Sequence, residues 1–452
     1  MSRRTPADNT AALHIVHPHA AAVDVHSDNH VACVGPEQVR TFGADSADLN
    51  ALADWFASRG VTSVVLESTG VYWIPLFELL ERRGFEVFLI EPSQASHCGA
   101  RPKTDRLDCQ WLQRLHTYGL LRPSFRPPDA ILALRGYWRQ RQMPVRYASH
   151  HVQHMQKALE QMNVKLTEVV SSITGVTGTA IIAAIVAGQR DPKQLAALRN
   201  ERCARSEAEI ALALEGTCRP EHLFALKQAF ELYGYLHRQI EDCDRQVAAE
   251  LDRLPDRSRG GPIAPKPRRR GRKPNDVRFD AASKLSSALG VDLTAIEGID
   301  ASTALVILAE IGPDVERFPT EEHFASWLGL CPRTDRSNRT ERRRPPRKGK
   351  NRVAQALRMA AQSVGRTQTA LGAFDRRIKS RTGGRSAITA TAHKLSRLVY
   401  RMLRYGTEYV TRSLLEYEAQ VRGELERNLR RRAASLGYEL VPRVAVPPPS
   451  PS

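Results

Sequence analysis

"AAVDVHS" (residues 21–27) reads as a short buried strand that carries one carboxylate, Asp24, among small and β-branched apolar residues. The neighbouring stretches "HVACVG" (30–35) and "VRTFGA" (39–44) repeat the pattern after tight connections. "ADLNALADWFASRG" (47–60) then has helical spacing, and "VTSVVLEST" (61–69) is a fourth strand pattern ending in Glu67. "YWIPLFELLERRG" (72–84) is a second helix closed by a glycine, and "FEVFLIE" (85–91) is a fifth strand. A helix from about Asp105 to His116 completes the segment.

Three strands, helix, strand, helix, strand, helix is the order of a ribonuclease-H-like α/β domain. Its first and fourth strands are neighbours, so Asp24 and Glu67 would meet near their ends. "KTDRLD" (103–108) adds Asp105 and Asp108, three apart at a helix start and so on one face. Each acid alone has a plain explanation: a strand-end turn, a surface residue, or a first-turn complement to the helix dipole. Together they make a four-carboxylate cluster suited to Mg²⁺ or Mn²⁺, and paired metals serve in-line phosphoryl displacement. Lys103 and Arg106 then stand beside a phosphate.

The chain has 452 residues, 42% of them hydrophobic and a formal net charge of +18, enough for two or three folded domains. The surplus is local. Residues 331–405 hold 21 Lys and Arg against Asp335, Glu341 and Asp375, and residues 256–279 hold nine against two. Residues 1–125 are slightly negative, with 11 basic and 14 acidic side chains. Such concentration points to a polyanion surface, and the absence of an amphipathic aromatic face argues against a membrane. The seven cysteines are scattered without a CxxC pair, which indicates reduced thiols in a cytoplasmic protein rather than a zinc or disulfide framework. The N-terminus lacks the apolar run of a signal peptide.

The middle, residues 126–255, reads as helical. From Pro144 onward, apolar residues at Val145, Ala148, Val152, Met155, Leu159, Met162 and Leu166 alternate spacings of three and four, a coiled-coil seam. A second seam runs over roughly 220–254 and stops at Pro255. Packing within the chain and dimerisation explain both seams equally well. Residues 256–279 form a basic Pro/Gly-rich linker and residues 436–452 a disordered tail. Between them, residues 280–435 make a mainly helical C-terminal domain. In it "IEGIDASTA" (296–304) fits a helix-hairpin-helix turn around Gly298, with a helix start near Ser302, a turn that points backbone N–H groups at phosphate. An ordinary helix-glycine-helix turn would leave the same pattern. "RTDRSNRTERRRPPRKGKNR" (333–352) reads as a polar, proline-broken loop; Arg333, Arg336, Arg339, Arg342, Arg343, Arg344, Arg347, Lys348, Lys350 and Arg352 crowd it with cationic side chains for nucleic acid.

"VDVHSDNHVACV", "ESTGVYW" and "KTDRLDCQWL", followed by "IEGIDASTALVILAEIG", "FASWLGLCPR", "KNRVAQALRMAAQS" and "AITATAHKLSRLVYRML", resemble the Asp-Glu-Asp-Asp (DEDD) insertion-sequence transposases. The resemblance covers nearly the whole chain in the family's motif order. It implies a RuvC-like N-terminal domain related to the Piv DNA invertases, with Asp24, Glu67, Asp105 and Asp108 as metal ligands. It places Ser337 at the family's nucleophile position, where a serine needs activation or a stabilised transition state. Asn338 follows, where the family usually carries glycine; asparagine tolerates left-handed backbone conformations. The implied partners are DNA, a structured non-coding guide RNA as in many members, and further copies of the chain.

Three rivals stand beside this expectation. A tyrosine recombinase would use "HKLSRLVY", with His393, Arg397 and Tyr400, but its spacing is one residue too long and Leu395, Leu398, Val399 and Met402 read as a core face. A RuvC-like junction-resolving nuclease would use the four carboxylates and water alone. An inactive, transposon-derived nucleic-acid-binding protein would be expected to have lost a carboxylate, and all four are present.

Overall fold

The computed structural model describes residues 14–35, 38–68, 70–96, 104–258, 275–331, 333–337, 340–344 and 351–441. Two compact units divide the chain, Met1–Arg126 and Pro127–Ser452.

The first unit is α/β. Its strands β1 (Ala20–Val25), β2 (Asn29–Cys33), β3 (Val39–Gly43), β4 (Ser63–Glu67) and β5 (Glu86–Ile90) form one mixed sheet in the order β3-β2-β1-β4-β5. All five lie inside the expected stretches or within a residue of them. β1 pairs antiparallel with β2 and parallel with β4, in register from Ala20 opposite Ser63 to Val23 opposite Leu66. The whole of β1 is buried because helices cover both faces. On one face Val23 and Leu66 meet α1 (Ser46–Ser58) and α2 (Trp73–Arg82) through Leu52, Phe56, Leu76 and Leu80. A short α3 (Pro92–Ser96), absent from the sequence expectation, leads on toward α4 (Asp105–Thr117). On the opposite face Ala22 and Val65 meet Cys109, Leu112 and Leu115 of α4. Each of those leucines, fully buried, contributes roughly 1.5–3 kcal/mol. The Cys109 thiol adds hydrogen bonds to the carbonyls of Ala22 (3.3 Å) and Val31 (3.0 Å), pinning α4 one turn behind its start.

The second unit is mostly helical. α5 (Asp129–Gln161), α6 (Leu166–Val169), α7 (Val176–Val186), α8 (Pro192–Ala196), α9 (Glu207–Ala213) and α10 (Pro220–Arg253) come first. The two seams pack against each other within the chain: Ala158 and Leu159 of α5 share a core with Leu226 and Ala229 of α10, closed over by α6–α9. α5 begins at Asp129 and runs through Pro144, where the seam was read as starting. Proline in a helix interior removes one hydrogen bond and crowds the previous turn, at a cost of about 3 kcal/mol. Pro144 is tolerated because it is itself buried and both flanks are held, by Leu134 and Trp138 on one side and Ala148 and Met155 on the other.

The remaining elements are α11 (Ala281–Leu289), a 3₁₀ turn (Leu293–Ala295), α12 (Ala301–Ile311), α13 (Glu321–Trp327), β6 (Arg333–Ser337), β7 (Thr340–Arg344), α14 (Arg352–Val364), α15 (Ala370–Thr382), α16 (Gly384–Tyr405) and α17 (Thr407–Ser435). α11, α12, α14 and α16 bury their apolar faces together with Ile131, Leu134, Val247 and Leu251 from the far ends of α5 and α10. Within the segment read as a loop, residues 333–337 and 340–344 instead pair as antiparallel strands, with Arg333 opposite Arg344 and Ser337 opposite Thr340. Its polar sequence concealed the strands, since it lacks the apolar alternation that betrays one. Among the described residues, no helix is long and apolar enough to cross a membrane.

Candidate metal centre

The register of β1 and β4, carried one residue past Val23 and Leu66, sets Asp24 beside Glu67. Alternation along the strands puts both on the face that α4 covers, shared with Ala22 and Val65. Thr104 is the N-cap of α4, its hydroxyl accepting from the Leu107 N–H at 3.3 Å. Neither Asp105 nor Asp108 is therefore the capping residue, although both sit in the first turn and complement its dipole.

Three ligating atoms converge there. His26 Nε2 lies 3.4 Å from Asp24 Oδ2 and 3.8 Å from Asp105 Oδ2. One donor atom from each of the three residues falls within 4.8 Å of the others. His26 Nε2 is buried without a hydrogen-bond partner of normal geometry. Donors that approach one another around an unsatisfied nitrogen fit a divalent cation, and Asp24, His26 and Asp105 are the residues that would hold it.

Asp24 is 8% exposed. Burial raises its pKa above the usual carboxylate value; His26 pulls it down, while Asp105 and Asp108 push it further up. A cation would relieve that repulsion. Asp108 thus acts on Asp24 electrostatically, but neither it nor Glu67 belongs to the tight three-residue group. Sequence reasoning assigned no role to His26. The signal was present: it lies two residues past Asp24, the spacing that returns a strand to the same face.

The other selected residues divide. Arg106 is exposed in the first turn of α4. Lys103, Asn338, Arg339, Arg347, Lys348 and Lys350 lie outside the described residues. Arg333, Arg336 and Ser337 are on β6, and Arg342, Arg343 and Arg344 on β7. Arg352 donates to Gln142 Oε1 at 2.8 Å and lies 3.8 Å from Glu310 Oε1, so a phosphate would compete with contacts inside the unit. Gly298 has φ +85° and stands against α14, where a Cβ would come 2.3 Å from Val364 Cγ2. The following helix, α12, starts at Ala301 under the cap of Asp300. Tyr400 is buried, its hydroxyl donating to the Phe318 carbonyl at 2.8 Å, and Arg397 is paired with Glu321. Tyr400 is thus built into the core, and the half-exposed Arg397 guanidinium is taken up by Glu321.

An α/β unit that gathers acids at its strand ends, followed by a helical unit that carries the basic surplus of the sequence, makes this a protein of the α/β-plus-α class. A family model described as Transposase, of the DEDD IS110 type, matches residues 21–164. A second, described as Transposase IS116/IS110/IS902 family, matches residues 290–376. The chain belongs to the IS110 family of insertion-sequence transposases. It is similar to the "Insertion element IS110 uncharacterized 43.6 kDa protein" of Streptomyces coelicolor, at 31% identity over 123 residues. That match takes in 26% of this chain and 30% of the relative's length.

Proposed function

We propose that the chain is a transposase that cuts and rejoins DNA, with a divalent cation at the Asp24, Glu67, Asp105 and Asp108 cluster and Ser337 as nucleophile. One observation carries this: Asp24, His26 and Asp105 converge at the strand ends of a chain matched at both ends by one transposase family. The order of elements and the neighbouring β1 and β4 support a ribonuclease-H-like, RuvC-like first domain. Bound Mg²⁺ or Mn²⁺ would supply Lewis-acid stabilisation of the departing oxygen.

The chain's own residues do the rest. The Ser337 hydroxyl oxygen bonds to a DNA phosphorus and gives up its proton. The bond from that phosphorus to a bridging sugar oxygen breaks, and the oxygen leaves as a hydroxyl. Arginines on β6 and β7 clamp the phosphate through charge-assisted hydrogen bonds. The phosphoserine link conserves the phosphodiester energy, so rejoining is the same exchange run backwards. The basic surplus of residues 331–405 supports binding to DNA and to a structured guide RNA, with affinity that falls steeply as salt rises. Assembly into a homo-oligomer completes the proposal.

The test separates serine from metal. Asp24→Asn and Asp105→Asn should abolish cleavage, and Ser337→Ala should keep DNA binding and lose strand exchange. Wild-type protein should stay attached to cut DNA after denaturation. Strand exchange by Ser337→Ala, or the lack of a covalent adduct under cleaving conditions, would hand the function to a water-using nuclease.

A further inference from the structure

His26 is not one of the four acidic residues. We infer that it is itself a ligand of the metal at this centre and biases the site toward Mn²⁺ over Mg²⁺. The inference rests on the metal reading above.

The geometry is that of a coordination edge rather than a hydrogen bond. An imidazole N–H given to a carboxylate would sit about 2.7–3.2 Å from the oxygen. Ligands placed about 2.0–2.2 Å from one ion, at the angles of an octahedron or a tetrahedron, lie roughly 2.8–3.6 Å apart. His26 Nε2 stands at 3.4 and 3.8 Å from the two carboxylate oxygens, beyond the first range and close to the second. The same nitrogen is buried and has no protein hydrogen-bond partner of normal geometry. Among the described residues Asp24 pairs with no lysine or arginine, and His26 is the group that faces it. The carboxylates are hard oxygen donors that suit Mg²⁺, whereas an imidazole favours later and softer divalent ions. Mg²⁺ also gives up its water shell reluctantly, and one nitrogen ligand adds to that resistance. Mn²⁺ accepts both donor types.

The full-length protein decides the matter through binding rather than turnover. Mn²⁺ affinity is read by electron paramagnetic resonance titration, Mg²⁺ affinity by competition against bound Mn²⁺, and directly bound nitrogen by ¹⁴N modulation of the Mn²⁺ echo. Wild-type protein should show the nitrogen coupling and a preference for Mn²⁺. His26→Ala should lose the coupling and weaken Mn²⁺ by roughly tenfold or more, the scale on which even outer-shell partners act. Mg²⁺ should weaken less. His26→Gln, of similar size, should behave like His26→Ala. Asp105→Asn should weaken both ions while any remaining bound Mn²⁺ keeps its nitrogen signal. Mn²⁺ bound by the wild type without nitrogen coupling would reduce His26 to a charge partner and overturn the inference, leaving the metal site intact. No Mn²⁺ binding by the wild type at all would overturn the metal site as well.

Discussion

In the helical unit the buried carboxylates are held by cations or by hydrogen-bond donors. Asp244 is held by Arg141, with Nε to Oδ1 at 2.5 Å, Glu310 by Arg139 and Arg135, and Glu321 by Arg397 and Arg401; Asp375 accepts from Thr391 at 2.9 Å. In the α/β unit the one buried acid among the described residues is Asp24, and its neighbours are a histidine and further carboxylates. The first arrangement spends acids on stability and the second withholds a partner. Burying a charge without one is costly, so an acid left in this state marks a place built for something else to bind.

Opposite responses to mutation would sharpen that contrast. The largest effect is expected at Asp244→Ala, which strands the buried Arg141 guanidinium and removes the acceptor of the Arg278 N–H. It should cost about 3–5 kcal/mol in urea unfolding; a loss below about 1 kcal/mol would break the comparison. Gly298→Ala comes next. A side chain at φ +85° that also meets Val364 should cost about 1–3 kcal/mol by the same measurement.

Asp24→Asn should instead stabilise the metal-free protein. Its melting temperature should rise by at least about 2 °C, and the rise caused by added Mn²⁺ should disappear. The pH dependence carries the sign. Because the folded pKa of Asp24 is raised above 3.8, its carboxyl contributes stability that is present below that value and lost as pH climbs through the folded pKa. The advantage of Asp24→Asn should therefore be absent near pH 3.5 and grow toward neutrality. Glu321 behaves in mirror image. Burial raises its pKa, but Arg401 and Arg397 more than offset this and hold it below 4.5, so its stability is present above that value and lost as pH falls through the folded pKa. The penalty of Glu321→Gln should be full at pH 7 and fade in acid. Parallel profiles for the two variants would refute the contrast. The smallest effect is Tyr400→Phe, about 1 kcal/mol for one buried hydrogen bond, with the covalent DNA adduct undiminished.

Much of this was legible in the residues. The strands of the first unit carry enough Val, Ile and Phe, punctuated by Gly, for each to be placed within a residue or so of its position. Asp24 and Asp105, chosen from the sequence, do meet. His26 stands in "AAVDVHS" itself but carries no ligand signal there, because a histidine just past a strand end has many ordinary uses. The strands at 333–337 and 340–344 read as a loop in sequence, since they carry no apolar alternation.

Periodicity and composition by themselves determined the element order of the first unit, the helical character of the second and the concentration of positive charge in residues 331–405. These are local properties, written in the spacing of apolar and charged residues. Tertiary structure alone decided that α5 continues through Pro144, that the seams of α5 and α10 meet within the chain, and that Tyr400 belongs to the core. It also decided that His26 Nε2 stands between Asp24 and Asp105. Such facts depend on strand register and on which helix lies over which face, so they arise from residues nearly eighty positions apart and leave no trace in any short window of sequence.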